Sequence, residues 1–250
     1  MTLAQAAVQG LDALRARAAA PVAVSANLRV LRDPEAVQVA VRKHAKLGAQ
    51  VLALQEAGGY LPQVRGVAEH QGYRDPIHAP AGAGRGMNSS ALLVRDDVPV
   101  HAQGVALSRA SWIGPRAGIV WPGRGIPWAV ADLDGQRTLV ASIHGPTGRN
   151  GDNKRAWRKY MRRLRRLAKR KGRKYRAKVL YVGDWNCPVG ARDKRSVRRL
   201  LANRIGAHVV NPGARPPIDY AVTHLDLRGE TGPRHGSDHD SIRFYWKDSR

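Results

Sequence analysis

"VLYVGDWNCPVG", residues 179–190, is the stretch from which the chain is best read. Four largely apolar residues run into Gly183, and Asp184 and Asn186 then flank Trp185. Gly183 and Pro188 punctuate a strand as turn residues do. They do not explain a carboxylate and a carboxamide two residues apart at the strand's end. On an extended segment such a pair faces one side and the residue between faces the other. The spacing therefore predicts a polar edge carrying Asp184 and Asn186, with Trp185 turned into packing.

The pattern recurs outward from that strand. "PVAVSANLRV" (21–30) and "VLALQEAGG" (51–59) read as buried strands that end in polar residues or glycines. A helix over 33–49 joins them, opened by Asp33-Pro34 and carrying Val37, Val41 and Ala45 at helical spacing. Two such strands and their helix make a parallel unit. "SSALLVRD" (89–96), "RAGIVWP" (116–122), "WAVADLD" (128–134) and "TLVASIHGP" (138–146) read as further strands. A long basic helix follows over 153–171, then a helix near 193–203 and the strands "PIDYAVTH" (217–224) and "SDHDSIRFYW" (237–246). The glycine-rich "AGAGRGMN" (81–88) fits neither a dinucleotide fingerprint nor a P-loop and reads as a loop. Strands mixed with helices over this length predict an α/β protein with helices packed outside sheet layers.

Lys and Arg number 43 against 19 Asp and Glu, a formal net charge of +24. Solubility does not require so lopsided a balance, which favours a polyanionic partner such as nucleic acid or an anionic membrane. Cys187 is the one cysteine, so no disulfide forms within the chain, and it reads as a small packed residue. The N-terminal stretch is alanine-rich but lacks a charged start, and Asp12, Arg15 and Arg17 interrupt any apolar core. Leu3, Ala7, Leu11 and Leu14 fall at helical spacing. The expected organisation is an N-terminal helical extension over 1–20 and a single domain over 21–250. No apolar run approaches the length of a membrane span, and the expected location is cytoplasmic.

Each predicted strand delivers polar residues near one end: Asn27, Glu56, His144, Asp184 with Asn186, Asp219, and Asp238 with His239. Taken singly, each has an ordinary account as a cap or a solvated turn residue. Together they offer hard oxygen ligands of the sort magnesium prefers and two histidines for proton transfer near neutral pH. That kit suits metal-assisted phosphoester hydrolysis.

The ordered set "SANLRV", "LQEAGG", "SIHGP", "VGDWN", "IDYAV" and "GSDHD" resembles the endonuclease/exonuclease/phosphatase superfamily, the DNase I-like fold, over residues 21–246. "GDWN" is similar to the family's Gly-Asp-x-Asn and "SDH" to its closing Ser-Asp-His. The resemblance implies a four-layer α/β/β/α sandwich of two mixed β-sheets, an α+β architecture with its site at one edge. It implies Glu56 as main magnesium ligand, with Asn27 and Asp238 beside it and manganese or calcium as alternative ions. It implies that His239, oriented by Asp219, acts as general base or holds the scissile phosphate. Asp184 and Asn186 would position water and phosphate, and His144 would act as acid or phosphate contact.

A histidine at 144 is similar to the DNase I, sphingomyelinase and inositol-phosphatase branches; the abasic-site repair branch usually carries asparagine there. Arg116, in "GPRAGIV", resembles an arginine that family nucleases use on substrate phosphate. Asp240-Ser241 follow the Ser-Asp-His where the family often has a proline two positions on.

Residues 154–178 hold fifteen Lys or Arg in twenty-five positions. Trp157, Met161, Leu164 and Ala168 form an apolar stripe at helical spacing, which predicts a helix packed on one side and basic on its flanks. Almost no acid interrupts the run, so ion pairing along the helix is not its purpose. Arg155, Arg158, Lys159, Arg162 and Arg166 are expected to contact nucleic acid, with DNA ahead of RNA and an anionic membrane surface second. The leading expectation is a magnesium-dependent DNA endonuclease. The alternatives are a phosphatase or phospholipid phosphodiesterase tethered by its basic surface, and a non-catalytic nucleic-acid-binding protein.

Overall fold

Apolar runs of four to seven residues bury both faces of a strand only if something covers each side of the sheet. This chain meets that demand with two sheets packed on each other and helices outside both. The computed structural model describes residues 20–28, 31, 33–79, 89–108, 112–113, 120–121, 123–147, 153–191 and 193–247. The expected N-terminal helix up to residue 19, the 81–88 loop and Arg116 lie outside the described residues.

The first half supplies β1 (Ala23–Asn27), β2 (Val51–Gln55), β3 (Ile77–His78), β4 (Ala91–Val94), β5 (Val100–Leu107), β6 (Trp112–Ile113) and β7 (Val120–Trp121). The second supplies β8 (Gly125–Leu133), β9 (Gln136–His144), β10 (Lys178–Asp184), β11 (His208–Val210), β12 (Asp219–Thr223), β13 (Leu227–Gly232) and β14 (Ser241–Trp246). One six-stranded sheet runs β13-β14-β1-β2-β4-β3, and the other runs β11-β12-β10-β9-β8-β5. Each is mixed, with one parallel pair, β1 with β2 and β9 with β10, among antiparallel neighbours. A small β6–β7 pair stands apart.

Three apolar clusters account for the layers. Ala23, Val51, Leu92, Val140, Leu180, Val182 and Phe244 belong to the cluster between the sheets. Helices α1 (Pro34–Ala45) and α2 (Leu61–His70) cover the outer face of the first sheet through Val37, Val41, Val64 and Val67. Helix α3 (Lys154–Leu167) covers the second sheet through Trp157, Tyr160, Met161 and Leu164. The architecture is the expected four-layer α/β/β/α sandwich.

Local chemistry fixes the elements that frame the site. Asp33 caps α1 by accepting from the backbone N–H groups of Glu35 and Ala36, at 3.2 and 3.1 Å, ahead of Pro34 in the first turn. Helix α3 is pinned by Trp157 Nε1, which donates to Arg195 O at 2.8 Å, and by Tyr181 Oη, which donates to Leu164 O at 3.1 Å. The helical path continues through a wider-wound segment, Ala168–Gly172, and Arg173–Tyr175, and stops at Arg176 in a left-handed conformation.

A buried polar stitch joins the two sheets just below one edge. Gln55, fully buried on β2, donates through Nε2 to Ser142 Oγ on β9 at 3.1 Å. Its Oε1 accepts from Ser25 Oγ at 3.3 Å, and Ser142 Oγ returns a bond to Leu54 O at 3.3 Å. Gly183 makes this closeness possible: its φ of +142°, and a Cβ there that would run into Ile143 O and Gln55 Nε2, exclude any side chain. No helix among the described residues is long and apolar enough to cross a membrane.

Candidate active site

Strand register gathers the polar residues. Asp184, the last residue of β10, pairs with His144 on β9 and with Asp219 on β12, so three chemically active side chains lie in one row across the second sheet. On the first sheet Asn27 ends β1 opposite Gln55, and Glu56 follows β2 directly. Asn27 Nδ2 donates to Asp184 Oδ2 at 3.1 Å and closes the edge between the sheets. Glu56 sits at a φ of +58°, which turns the chain out of β2 at the point where its carboxylate is needed.

His144 Nε2 lies 3.7 Å from both Glu56 Oε1 and Asp184 Oδ2, and its backbone N–H donates to Tyr160 Oη at 3.3 Å. His239 Nδ1 lies 2.6 Å from Asp219 Oδ2, a short charge-assisted contact that fixes the imidazole. With Asp219 ionised, Nδ1 carries the hydrogen and Nε2, 3.7 Å from Asp238 Oδ1, is the position left to exchange a proton. The Ser-Asp-His turn is held by Ser237 Oγ, which accepts from His239 N–H at 3.1 Å. Asp240 accepts from Arg215 N–H and Arg234 Nε, both at 2.8 Å, and so supplies the stiffness that a proline would otherwise bring.

Asn186 reaches Asp184 by a route different from the one the spacing predicts. Strand β10 ends at Asp184, and Asn186 has a left-handed φ of +48°. Its N–H donates to Asp184 Oδ1 at 2.7 Å and its Nδ2 to Asp184 Oδ2 at 3.3 Å and Gly145 O at 2.9 Å. The two side chains therefore meet through a tight Asx turn, not through strand alternation. Trp185 does turn inward: it is fully buried, stacks on Tyr220 at 5.4 Å, and donates from Nε1 to Tyr220 O at 2.9 Å.

The electrostatics are those of a crowded anionic edge. Burial, and then the charge of Asp219, push Asp184 up to about 7. Burial also raises Asp219, against the pull of His239. Burial works against a charged His239, but the hydrogen bond and charge of Asp219, with Asp184 and Asp238, outweigh it and hold His239 above 6.5. Asp184, Asp219 and His239 each place a donor atom within 4.8 Å of the others. Two buried carboxylates this close disfavour joint ionisation unless a cation joins them, and an oxygen-rich donor set fits a hard divalent ion.

The structure brings Asn27, Glu56, His144, Asp184, Asn186, Asp219 and His239 to one edge, with Asp238 at its more exposed rim. Its tightest donor group is Asp184, Asp219 and His239, whereas the resemblance implies Glu56, Asn27 and Asp238 as the metal set. Arg155, Arg158, Lys159, Arg162 and Arg166 lie exposed along α3. Sequence reasoning missed Arg124. It immediately precedes β8, is only 6 % exposed, and senses the charges of Asp184 and Glu56. Burial pulls it down to about 10, with Tyr160, Asp184 and Glu56 opposing that shift. Its signal was available in part, since it stands at a strand end on the same edge as the other polar residues.

A four-layer sandwich whose sheet edge gathers carboxylates, carboxamides and a carboxylate-backed histidine defines a hydrolase of phosphoester bonds that works with a divalent metal. The chain belongs to the Endonuclease/Exonuclease/phosphatase family, whose model matches residues 22–239. A search of curated proteins finds no match. Among solved structures, an endonuclease/exonuclease/phosphatase from Bacteroides vulgatus is similar at 13% identity, with 89% of this chain and 97% of that one covered and a TM-score of 0.65. TDP2 of D. rerio, complexed with single strand DNA product, is similar at 14% identity, with 89% and 96% covered and a TM-score of 0.63. The mannosyl-6-phosphatase Bt3783 of Bacteroides thetaiotaomicron VPI-5482 is similar at 14% identity, with 89% and 97% covered and a TM-score of 0.62. At these identities the likeness speaks for the fold alone.

Proposed function

We propose that the protein is a magnesium-dependent nuclease that hydrolyses phosphodiester bonds in nucleic acid, with DNA as its substrate. The observation that carries this reading is the uncompensated basic face of α3, with Arg155, Arg158, Lys159, Arg162 and Arg166 exposed and no acid on the helix. A small phosphoester needs a few cations close to the reacting phosphorus. A long polyanion is held by many cations spread over a surface.

In this reading Glu56, Asp184, Asn27 and Asp238 would hold a divalent ion, which would supply neutralising charge to the phosphate. The remaining work falls to side chains. His239, aligned by Asp219, takes a proton from the attacking water through Nε2 as the new P–O bond forms. Asn186 and Arg124 hold non-bridging phosphate oxygens against the edge. His144 sits where it can return a proton to the departing oxygen as the old P–O bond breaks. Arg124 stands here in the role that the sequence offered for Arg116.

The reading is tested by comparing kcat/KM on a DNA oligonucleotide with that on a sugar phosphate, both with magnesium. Preference for the oligonucleotide by ~100-fold or more fits a surface that grips polyanions. Turnover of the sugar phosphate with DNA left intact would replace the nuclease reading by a phosphatase one, for which the likeness to a mannosyl-6-phosphatase is the present support.

A further inference from the structure

The basic helix does more than present an exposed face. Where its path continues past Leu167, it walls a cleft of about 720 Å³. Arg165, Lys169, Arg173 and Arg176 line one side, and Arg204, Ile205 and His224 the other. No carboxylate lines the cleft, and none of its Lys or Arg side chains pairs with a carboxylate among the described residues. The floor is uncharged: Ala168, Gly172, Ala177 and Val179. His224 is committed at both nitrogens, Nδ1 accepting from Val179 N–H at 3.1 Å and Nε2 lying 2.9 Å from Ile205 O, so it lines the cleft as a fixed flat ring.

The cleft's place in the fold separates it from the chemistry. Val179 lies at the start of β10 and Asp184 at its end, five residues on. At about 3.3 Å per residue the cleft and the catalytic row stand roughly 17 Å apart. A second cleft, of about 510 Å³, lies on the other flank of the helix, against Val105 and Leu107 of the edge strand β5. Ser108 lines it at one end, and that residue's N–H donates to Arg124 O beside the site. Lys159 and Arg163 line it from α3, and Arg162 and Arg166 are shared by both clefts. Arg162 and Arg166 thus bridge the two cationic flanks of the helix.

We propose that the cleft formed by Arg165, Lys169, Arg173, Arg176 and Arg204 is a second binding site for single-stranded nucleic acid, holding the strand's phosphates at the end of the sheet remote from the catalytic row. The inference rests on the nuclease reading and adds where the substrate is gripped. A cationic rim over an apolar floor suits a single strand, whose bases can leave the stack while its phosphates stay on the rim; a duplex keeps its bases inside. The arginines also crowd one another: burial, with Arg204, Arg162 and Arg166, lowers Arg165, a repulsion that a bound polyanion relieves. A strand of about five stacked nucleotides spans the distance to the catalytic row.

The test is fluorescence anisotropy of a labelled oligothymidylate about 20 nucleotides long, in EDTA and across a salt series, with wild type and the double variant Arg173→Gln/Arg204→Gln. Both residues are exposed, so the fold should persist, and an unchanged thermal midpoint verifies it. Losing two single-strand phosphate contacts should flatten the log–log salt slope by about 1.4 and weaken binding about 25-fold at ~0.1 M salt. Arg65→Gln, on α2, should leave both unchanged. Equal slopes for wild type and the double variant would overturn the cleft and spare the nuclease reading. No oligonucleotide binding by wild type would overturn the nuclease reading itself. Loss of binding to phosphatidylserine vesicles with oligonucleotide binding intact would overturn the proposal in favour of a membrane.

Discussion

Consider replacing Asp184 by asparagine and following stability with pH in EDTA. Asp184 is buried beside Asp219, and its rise from an ordinary 3.8 to about 7 makes it a group that folding protonates. A carboxyl raised in the folded state contributes stability below its unfolded value, and that contribution is lost as pH climbs through the folded value. Between pH 5 and pH 8, wild type should lose on the order of 2–3 kcal/mol through this one group.

Other groups act in the same window. His239, also raised, loses its contribution as pH rises past its folded value. His44 acts oppositely: burial lowers it from 6.5 to about 3, so it costs stability as pH falls below 6.5. The His44 effect is shared by wild type and variant. His239 is raised partly by Asp184, so its loss is smaller in the variant and acts in the same direction as the loss at Asp184 itself. The new amide places a donor against Asn27 Nδ2 and Asn186 Nδ2, which adds a fixed penalty of about 1–3 kcal/mol at every pH. The stability of wild type minus that of the variant should therefore fall by about 2–3 kcal/mol from pH 5 to pH 8. Urea denaturation followed by tryptophan fluorescence reads this directly. A difference that is constant or grows with pH would refute the account of a strained carboxylate pair.

Three further outcomes follow from the same geometry. Asp219→Asn removes the partner 2.6 Å from His239 Nδ1 and should lower kcat by ~10²–10⁴-fold with little change in KM, while moving the acidic limb of the pH–rate profile to lower pH, because His239 loses the charge that raises it. Arg124→Gln should lower kcat/KM by about 100-fold on a phosphodiester while circular dichroism remains native; unchanged kinetics would remove Arg124 from the site. Gly183→Ala should cost about 2–4 kcal/mol in urea denaturation, since its Cβ meets Ile143 O and the Gln55 amide at a backbone angle that side chains avoid.

What the sequence made legible follows from what each element buries. β1, β2, β9, β10 and β12 are interior strands whose apolar runs stop at a polar residue, so both the strand and its chemical end could be read. β5 and β13 escaped notice because they lie at sheet edges, half exposed, with Gly104 breaking one and charged residues filling the other. Helix α2 was hidden by Gly58-Gly59, read as strand closure, and it opens on Pro62, which sits in its first turn. Arg124 was passed over because the groups that act on it, Tyr160, Asp184 and Glu56, lie far away in sequence. The Asn186 turn was missed for another reason: an i, i+2 spacing fits both a strand face and an Asx turn, and only backbone angles separate them.

The central claim is that the row formed by His144, Asp184, Asp219 and His239 cuts nucleic acid with a divalent ion. Nicking of supercoiled plasmid by wild type and His239→Ala, each with magnesium and with EDTA, tests it most directly. The account predicts cutting by wild type with magnesium alone and its loss in the variant, with plasmid binding retained by both. Cutting that survives EDTA or the substitution, or binding without cutting by wild type, would contradict it.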